Sequence, residues 1–275
     1  MPNFMWTVGL KPETLPSMIR TGYLGRSWTA SALVAVFGVT LACCAAPLHA
    51  DEAYVETAGG SVTIMRANAN IRMVAEKVRA KVSTDLIEVD CTFWMKNEGP
   101  ADTVLCGFPD GAVCEDSDQN EFLTFRSWVD GVEVKSTRLL DAQAAAGDSE
   151  ACPDSWWVKS VFFPRGAVRT LRDHYTVGPS SYPRFGLAAF RYVLSTGASW
   201  KGNIGAAELT ATLVDIPPEW VTGTRPQARR NGRVYRWTFR NFEPGSADGS
   251  PEVVSLGWRE PGRSLEPDEA QPDWP

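Results

Sequence analysis

Histidine is nearly missing from this chain. Of two in 275 residues, His49 lies in a leader-like segment and His174 alone follows it. A Ser/His/Asp triad needs its histidine beside a nucleophile, and no G-x-S-x-G elbow is present to supply one. In RTLRDHYTV, His174 alternates with Leu171, Asp173 and Tyr175 onto the more polar face, as a solvated strand histidine does. Histidine-based metal sites and Cys/His catalysis lose most of their support with it. No cysteine pair is spaced C-x-x-C either, and no histidine lies near enough to a cysteine to suggest a zinc site.

Charge is missing from one long stretch. Residues 27 to 50 hold no Asp, Glu, Lys or Arg and include the apolar run ASALVAVFGVTLACCAA. Arg20 and Arg26 precede the run with no acidic residue between, the charge order that keeps an N-terminus in the cytoplasm. Residues 1 to 50 are read as a signal peptide cleaved after Ala50, with MIRTGYLGRSWT from Met18 giving ordinary proportions, although Leu48 is bulky for its place. The protein is therefore expected to be exported, periplasmic or secreted. Two membrane-attached readings stay open. One is an uncleaved anchor, for which the run is a little short of the about 20 residues that span a bilayer. The other is lipid attachment at TLACC, whose Thr40 and Leu41 fit that pattern poorly.

Removing the leader leaves 24 basic and 32 acidic residues, since three basic residues and one acidic residue go with it, for a formal charge of -8. That balance argues against nucleic acid or an anionic membrane as partner. Four cysteines remain, Cys91, Cys106, Cys114 and Cys152, and in an exported protein paired disulfides are the default. Three connectivities exist. The favoured one joins Cys91 to Cys106, across a hairpin expected to turn at NEGPAD (97–102), and Cys114 to Cys152. The first pair reads equally well as two buried thiols.

What fills the rest is alternation. In IEVDCTFWM, Ile87, Val89, Cys91, Phe93 and Met95 share one face, and AELTATL and RVYRWTF repeat the pattern. Asp130-Gly131 and Asn231-Gly232 read as tight hairpin turns, and PRGA (164–167) breaks WWVKSVFF from VRTLRDHYTV. The segment 71–82 is ambiguous, because Ile71, Val74, Val78 and Val82 also fit a helical stripe; a strand is expected over Val78 to Val82. The low-complexity patch DAQAAAGDSE separates an expected first sandwich lobe (51–140) from a second (151–260), or forms a long loop or short helix within one. Residues 261–275, rich in proline and acid, are expected to be a disordered tail. Nine tryptophans after the leader give the chain enough apolar bulk for a sizeable core. The fold class is all-β, an antiparallel β-sandwich of one or two lobes.

The stretch FRYVLSTGASWKGNIG (190–205) poses a choice between a ligand loop and a structural turn. A phosphate cradle needs glycines opening a helix. Here the lysine precedes the second glycine and a strand follows, so the turn is the reading adopted, with Trp200 folding back over the sheet end. The order Tyr192, Leu194, Thr196, Gly197, Trp200, Gly202, Ile204, Gly205, together with MVAEKVRAKVSTDLIEVDCTFWMKNEGPADTVLCGFP, resembles a family of exported bacterial proteins known only as a domain of unknown function. The resemblance spans about residues 70 to 260. It implies an exported all-β architecture, and brings neither an activity nor site residues.

Other candidate chemistry is thin. CEDSDQNE (114–121) begins like a calcium loop with Asp116, Asp118 and Asn120, but Glu121 stands where the turn glycine belongs and Ser127 where the bidentate glutamate belongs. Glu88 and Asp90 share a strand face at about 7 Å, a separation glycosidase carboxylates also show. Trp128, Trp156, Trp157 and Trp200 are candidate ligand-binding residues able to stack on sugars, although tryptophans in β-proteins more often cap the core. The expectation is a non-catalytic envelope or exterior protein, without cofactor or metal, that binds a protein or surface component. A carbohydrate-binding or glycoside-active protein is the alternative.

Overall fold

The computed structural model describes residues 53–58, 61–64, 68–112, 122–141, 154–182, 185–246 and 249–260. The leader, Cys114, Cys152, the acidic loop, residues 142–150 and the C-terminal segment from 261 lie outside them. Strands follow one another as β1 (Ala53–Ala58), β2 (Ser61–Ile64), β3 (Ile71–Val82), β4 (Ile87–Asn97), β5 (Asp102–Ala112), β6 (Thr124–Val129), β7 (Val132–Val134), β8 (Thr137–Asp141) and β9 (Asp154–Phe163). The rest are β10 (Val168–Val177), β11 (Ser180–Tyr182), β12 (Leu187–Val193), β13 (Ile204–Leu213), β14 (Val221–Arg225), β15 (Arg229–Asn231), β16 (Val234–Phe242) and β17 (Val253–Arg259). The protein is all-β; two short 3-10 turns, Ser195–Ser199 and Pro218–Trp220, interrupt the strands. Among the described residues no helix is long and apolar enough to cross a membrane.

The strands form three layers. One sheet of eight runs β15-β16-β13-β3-β4-β10-β6-β7, a sheet of four runs β11-β12-β17-β14, and β1, β2, β8, β9 and β5 close into a barrel. Pairing is antiparallel except between β3 and β13 and between β2 and β8. The expected division into two lobes at the low-complexity patch is corrected here. The eight-stranded sheet takes four strands from before residue 141 and four from after, and the barrel draws β9 from the second half.

Alternation supplies the core as the sequence implies. Ile87, Val89, Cys91, Phe93 and Met95 of β4, and Leu209, Ala211 and Leu213 of β13, are all buried. The ambiguous segment is a single strand with a bulge between Met73 and Ala75. Ile71 and Met73 point inward before it and Glu76, Val78, Ala80 and Val82 after it. An extra residue flips the parity of everything downstream, so the apolar spacing mixes odd and even steps and imitates a helix.

The turn at NEGPAD is also corrected. β4 and β5 are not neighbours: β4 stays in the eight-stranded sheet and β5 enters the barrel. The PRGA turn makes the same crossing in reverse, from β9 to β10. One side chain ties both corners. Asn97, fully buried, donates from Nδ2 to the carbonyls of Pro100 at 2.6 Å and Phe163 at 3.0 Å, while its Oδ1 accepts from Gly99 N at 2.9 Å. A buried amide satisfied this fully fixes the crossing instead of penalising it. Asp130 and Gly131 do form the predicted tight turn, with φ of 49° and 80°.

Candidate binding face

The glycine-rich stretch of the sequence is structural. After β12 the chain makes the 3-10 turn, and Trp200, 1% exposed, enters the core. Backbone bonds then pin the turn to the start of β3: Asn68 N donates to Ser199 O at 2.7 Å and Lys201 N to Ile71 O at 2.8 Å. Lys201 pairs with Glu98 of the NEGP corner at 3.1 Å and holds that carboxyl below its ordinary range. Gly205 lies against the β3 bulge, where a Cβ would come 2.4 Å from the Val74 carbonyl oxygen. Both segments of the family-like pattern therefore meet at one end of the eight-stranded sheet, where they build backbone contacts.

The cysteine and tryptophan candidates scatter. Cys91 and Cys106 are buried in different layers and no disulfide joins them, which overturns the cross-strand pairing expected for 91 and 106. Each lies beside one member of a buried ion pair in register: Cys91 opposite Asp173, and Cys106 opposite Lys159. Lys159 Nζ donates to both Asp173 carboxylate oxygens at 2.8 Å, and Ser127 Oγ donates to Oδ1 at 2.5 Å. The pair is 1% and 0% exposed and joins the barrel to the eight-stranded sheet. Trp156 and Trp200 are core residues with no indole face left for a sugar. Trp157 stacks on Phe125 at 5.2 Å and donates from Nε1 to Asp110 at 3.0 Å. Trp128 alone among the four lies on the outward positions of the eight-stranded sheet.

That outward face is where polar side chains gather. Register places Arg229, Arg236, Thr210, Arg79, Asp90, His174 and Arg126 in one row across seven strands. The adjacent row reads Thr238, Glu208, Lys77, Thr92, Arg172, Trp128 and Glu133. Every carboxylate in these rows has a cation. Arg172 binds Asp90, with Nε at 2.8 Å, and Arg126 binds Glu133 at 2.7 Å; Lys77 lies 3.7 Å from Glu208. Glu88, one step further along β4, takes Lys81 at 3.0 Å and His174 at 3.2 Å, contacts that lower its pKa in that order. The guanidinium groups of Arg172 and Arg126 lie 4.7 and 5.0 Å from the Trp128 ring centroid. Between β3, β4 and β10 a shallow depression of about 400 Å³ is lined by Arg79, Lys81, Glu88, Asp90, Thr92 and Arg172.

His174 sits against Glu88 in an exposed ion lattice, with no hydroxyl or thiol nucleophile bonded to it among the described residues. Among the described residues no group of three His, Cys, Asp or Glu side chains could hold a metal. Exposed ion pairs of this kind add little stability. The overall negative charge conceals these arginines; the outward positions of RAKV, FRSW and LRDH each carry one, and those of RRNGRVYRW carry two, Arg229 and Arg236.

No family model and no curated protein matches the chain. Among solved structures, one from Legionella pneumophila, whose name carries an inferred nutrient-binding role, superposes with a TM-score of 0.51 at 22% identity, over 75% of this chain and 72% of that one. An M1 zinc metallopeptidase from Deinococcus radiodurans gives 0.37 at 10% identity, over 70% of this chain and 43% of the enzyme. Native leukotriene A4 hydrolase from Saccharomyces cerevisiae gives 0.37 at 10%, over 69% and 29%. The first shares the all-β fold. The chain spans less than half of the metallopeptidase and of the hydrolase.

Proposed function

We propose that this is an exported, non-catalytic binding protein of the cell envelope or exterior, which engages a protein or surface component through the outward face of its eight-stranded sheet. The observation that carries the reading is the face itself. Arginines stand on it in excess of carboxylates, in register, in a chain whose total charge is -6. A chain that is acidic overall gains nothing in solubility by collecting cations on one sheet, whereas a partner of opposite charge is steered to them. The signal-like leader supports export, and the name given to the Legionella neighbour accords with a binding role. The test is a pull-down from envelope extract with the purified protein and with an Arg79→Glu/Arg236→Glu variant. A specific component held by the first and lost by the second supports the proposal; identical capture by both sinks it.

The carbohydrate alternative keeps one favourable observation, that Trp128 of β6 is on the same sheet face as Glu88 and Asp90 of β4. Quenching of tryptophan fluorescence by a neutral polysaccharide, abolished in Trp128→Ala, would favour it.

A further inference from the structure

One row of the outward face carries a repulsion that its own chain does not relieve. Arg229 of β15 and Arg236 of β16 are directly opposed residues of an antiparallel pair. Both are exposed, and among the described residues neither has a carboxylate partner. Like charges in this cross-strand position destabilise a sheet. Beyond Thr210 the row continues to Arg79, also exposed. The carboxylate opposite Arg79 belongs to Asp90, which is bonded twice to Arg172. At a strand spacing of about 4.8 Å, three guanidinium groups thus stand along roughly 14 Å with a threonine hydroxyl between them.

We infer that this row binds an acidic polysaccharide, whose carboxylates bridge Arg229, Arg236 and Arg79 while its hydroxyls meet the intervening Thr210. The inference rests on the outward face being the binding surface and names the partner's class. Planar guanidinium forks match carboxylates two bonds at a time, and a chain carrying them at intervals satisfies several arginines together. A folded protein partner fits less well, because such interfaces centre on aromatic, apolar and Arg anchors packed together, and the aromatic side chain of these rows, Trp128, lies on β6, away from the three arginines. Among the described residues the exposed large apolar side chains are Leu86, Leu123, Val132, Phe162, Val168 and Val214, none of them in the two rows. Thr92, Thr210 and Thr238 hold the corresponding places.

The experiment is calorimetric titration of the full protein with polygalacturonate, beside neutral dextran, poly-glutamate and phosphatidylglycerol vesicles, at low and at moderate salt. Expected are binding to polygalacturonate that weakens steeply with salt, no binding to dextran, and a loss of at least about tenfold in Arg229→Ser/Arg236→Ser with Arg259→Ser unchanged. The double variant should also melt no lower than the parent at low salt, because the repulsion is gone. Failure to bind polygalacturonate, equal binding by the double variant, or tighter binding to poly-glutamate or vesicles overturns the inference. Should polygalacturonate fail while the double variant loses a component that the parent captures from envelope extract, the glycan is wrong and the face stands. Should capture also be unchanged, both readings fall.

Discussion

Replacing Glu76 by Gln should remove a pH dependence that works against the folded state. The β3 bulge turns Glu76 into the interior, where it is 2% exposed. Burial raises its carboxyl from 4.5 to about 7, with the Tyr192 hydroxyl pulling the other way. Between those two values the native state holds a proton that the unfolded chain has released. Stability conferred by the protonated carboxyl is therefore fully present below pH 4.5, declines as pH rises, and is gone once pH passes about 7. A displacement of about 2.5 pH units at about 1.36 kcal/mol each comes to about 3 kcal/mol. Urea unfolding of parent and Glu76→Gln from pH 4.5 to 8 checks this. Asp173, Tyr175 and Cys91 face the same interior in both proteins, so the difference between the curves isolates Glu76. The parent should lose about 3 kcal/mol relative to the variant over this range. Parallel curves, or a parent that gains on the variant as pH rises, would refute the reasoning.

Three further outcomes test the packing. Gly205→Ala places a methyl 2.4 Å from the Val74 carbonyl oxygen, a backbone atom that cannot rotate away, and should cost about 1–3 kcal/mol in thermal unfolding. Lys159→Met leaves the Asp173 charge buried without its partner and should cost about 3–5 kcal/mol, while Lys159→Met/Asp173→Leu should recover most of it; equal losses in single and double variants would show that the ion pair does not join the layers. Trp200→Ala empties a core position and should cost about 3–5 kcal/mol, whereas exchange of the half-buried Trp128 for Phe should cost little; the reverse order would return Trp200 to the list of surface candidates.

Strands were legible because the pleat is a local property. β4, β13 and β16 bury the faces their alternation assigns, and the turn at Asp130-Gly131 needs only its own two residues. Where reading failed, a long-range event intervened. The bulge in β3 is accommodated by Gly205, more than a hundred residues away, whose missing Cβ leaves room for the Val74 carbonyl, and without that contact in view the parity change at Met73 looks like a helix. The corner at NEGPAD resembles a hairpin because Asn-Glu-Gly-Pro sets only the direction of the turn. Whether β5 returns beside β4 or crosses to another layer depends on Asn97 finding the Phe163 carbonyl. Cys91 and Cys106 went to separate layers for the same reason.

The proposed binding face divides along that line. The sequence by itself determined the all-β character, the inward set of apolar residues and the outward place of each arginine, since side-chain direction follows from a repeat of two. Only the tertiary structure decided that β15, β16, β13, β3, β4, β10 and β6 lie side by side, bringing Arg229, Arg236 and Arg79 into one row. Strand order is set by contacts between residues far apart in the chain, and no local spacing records it.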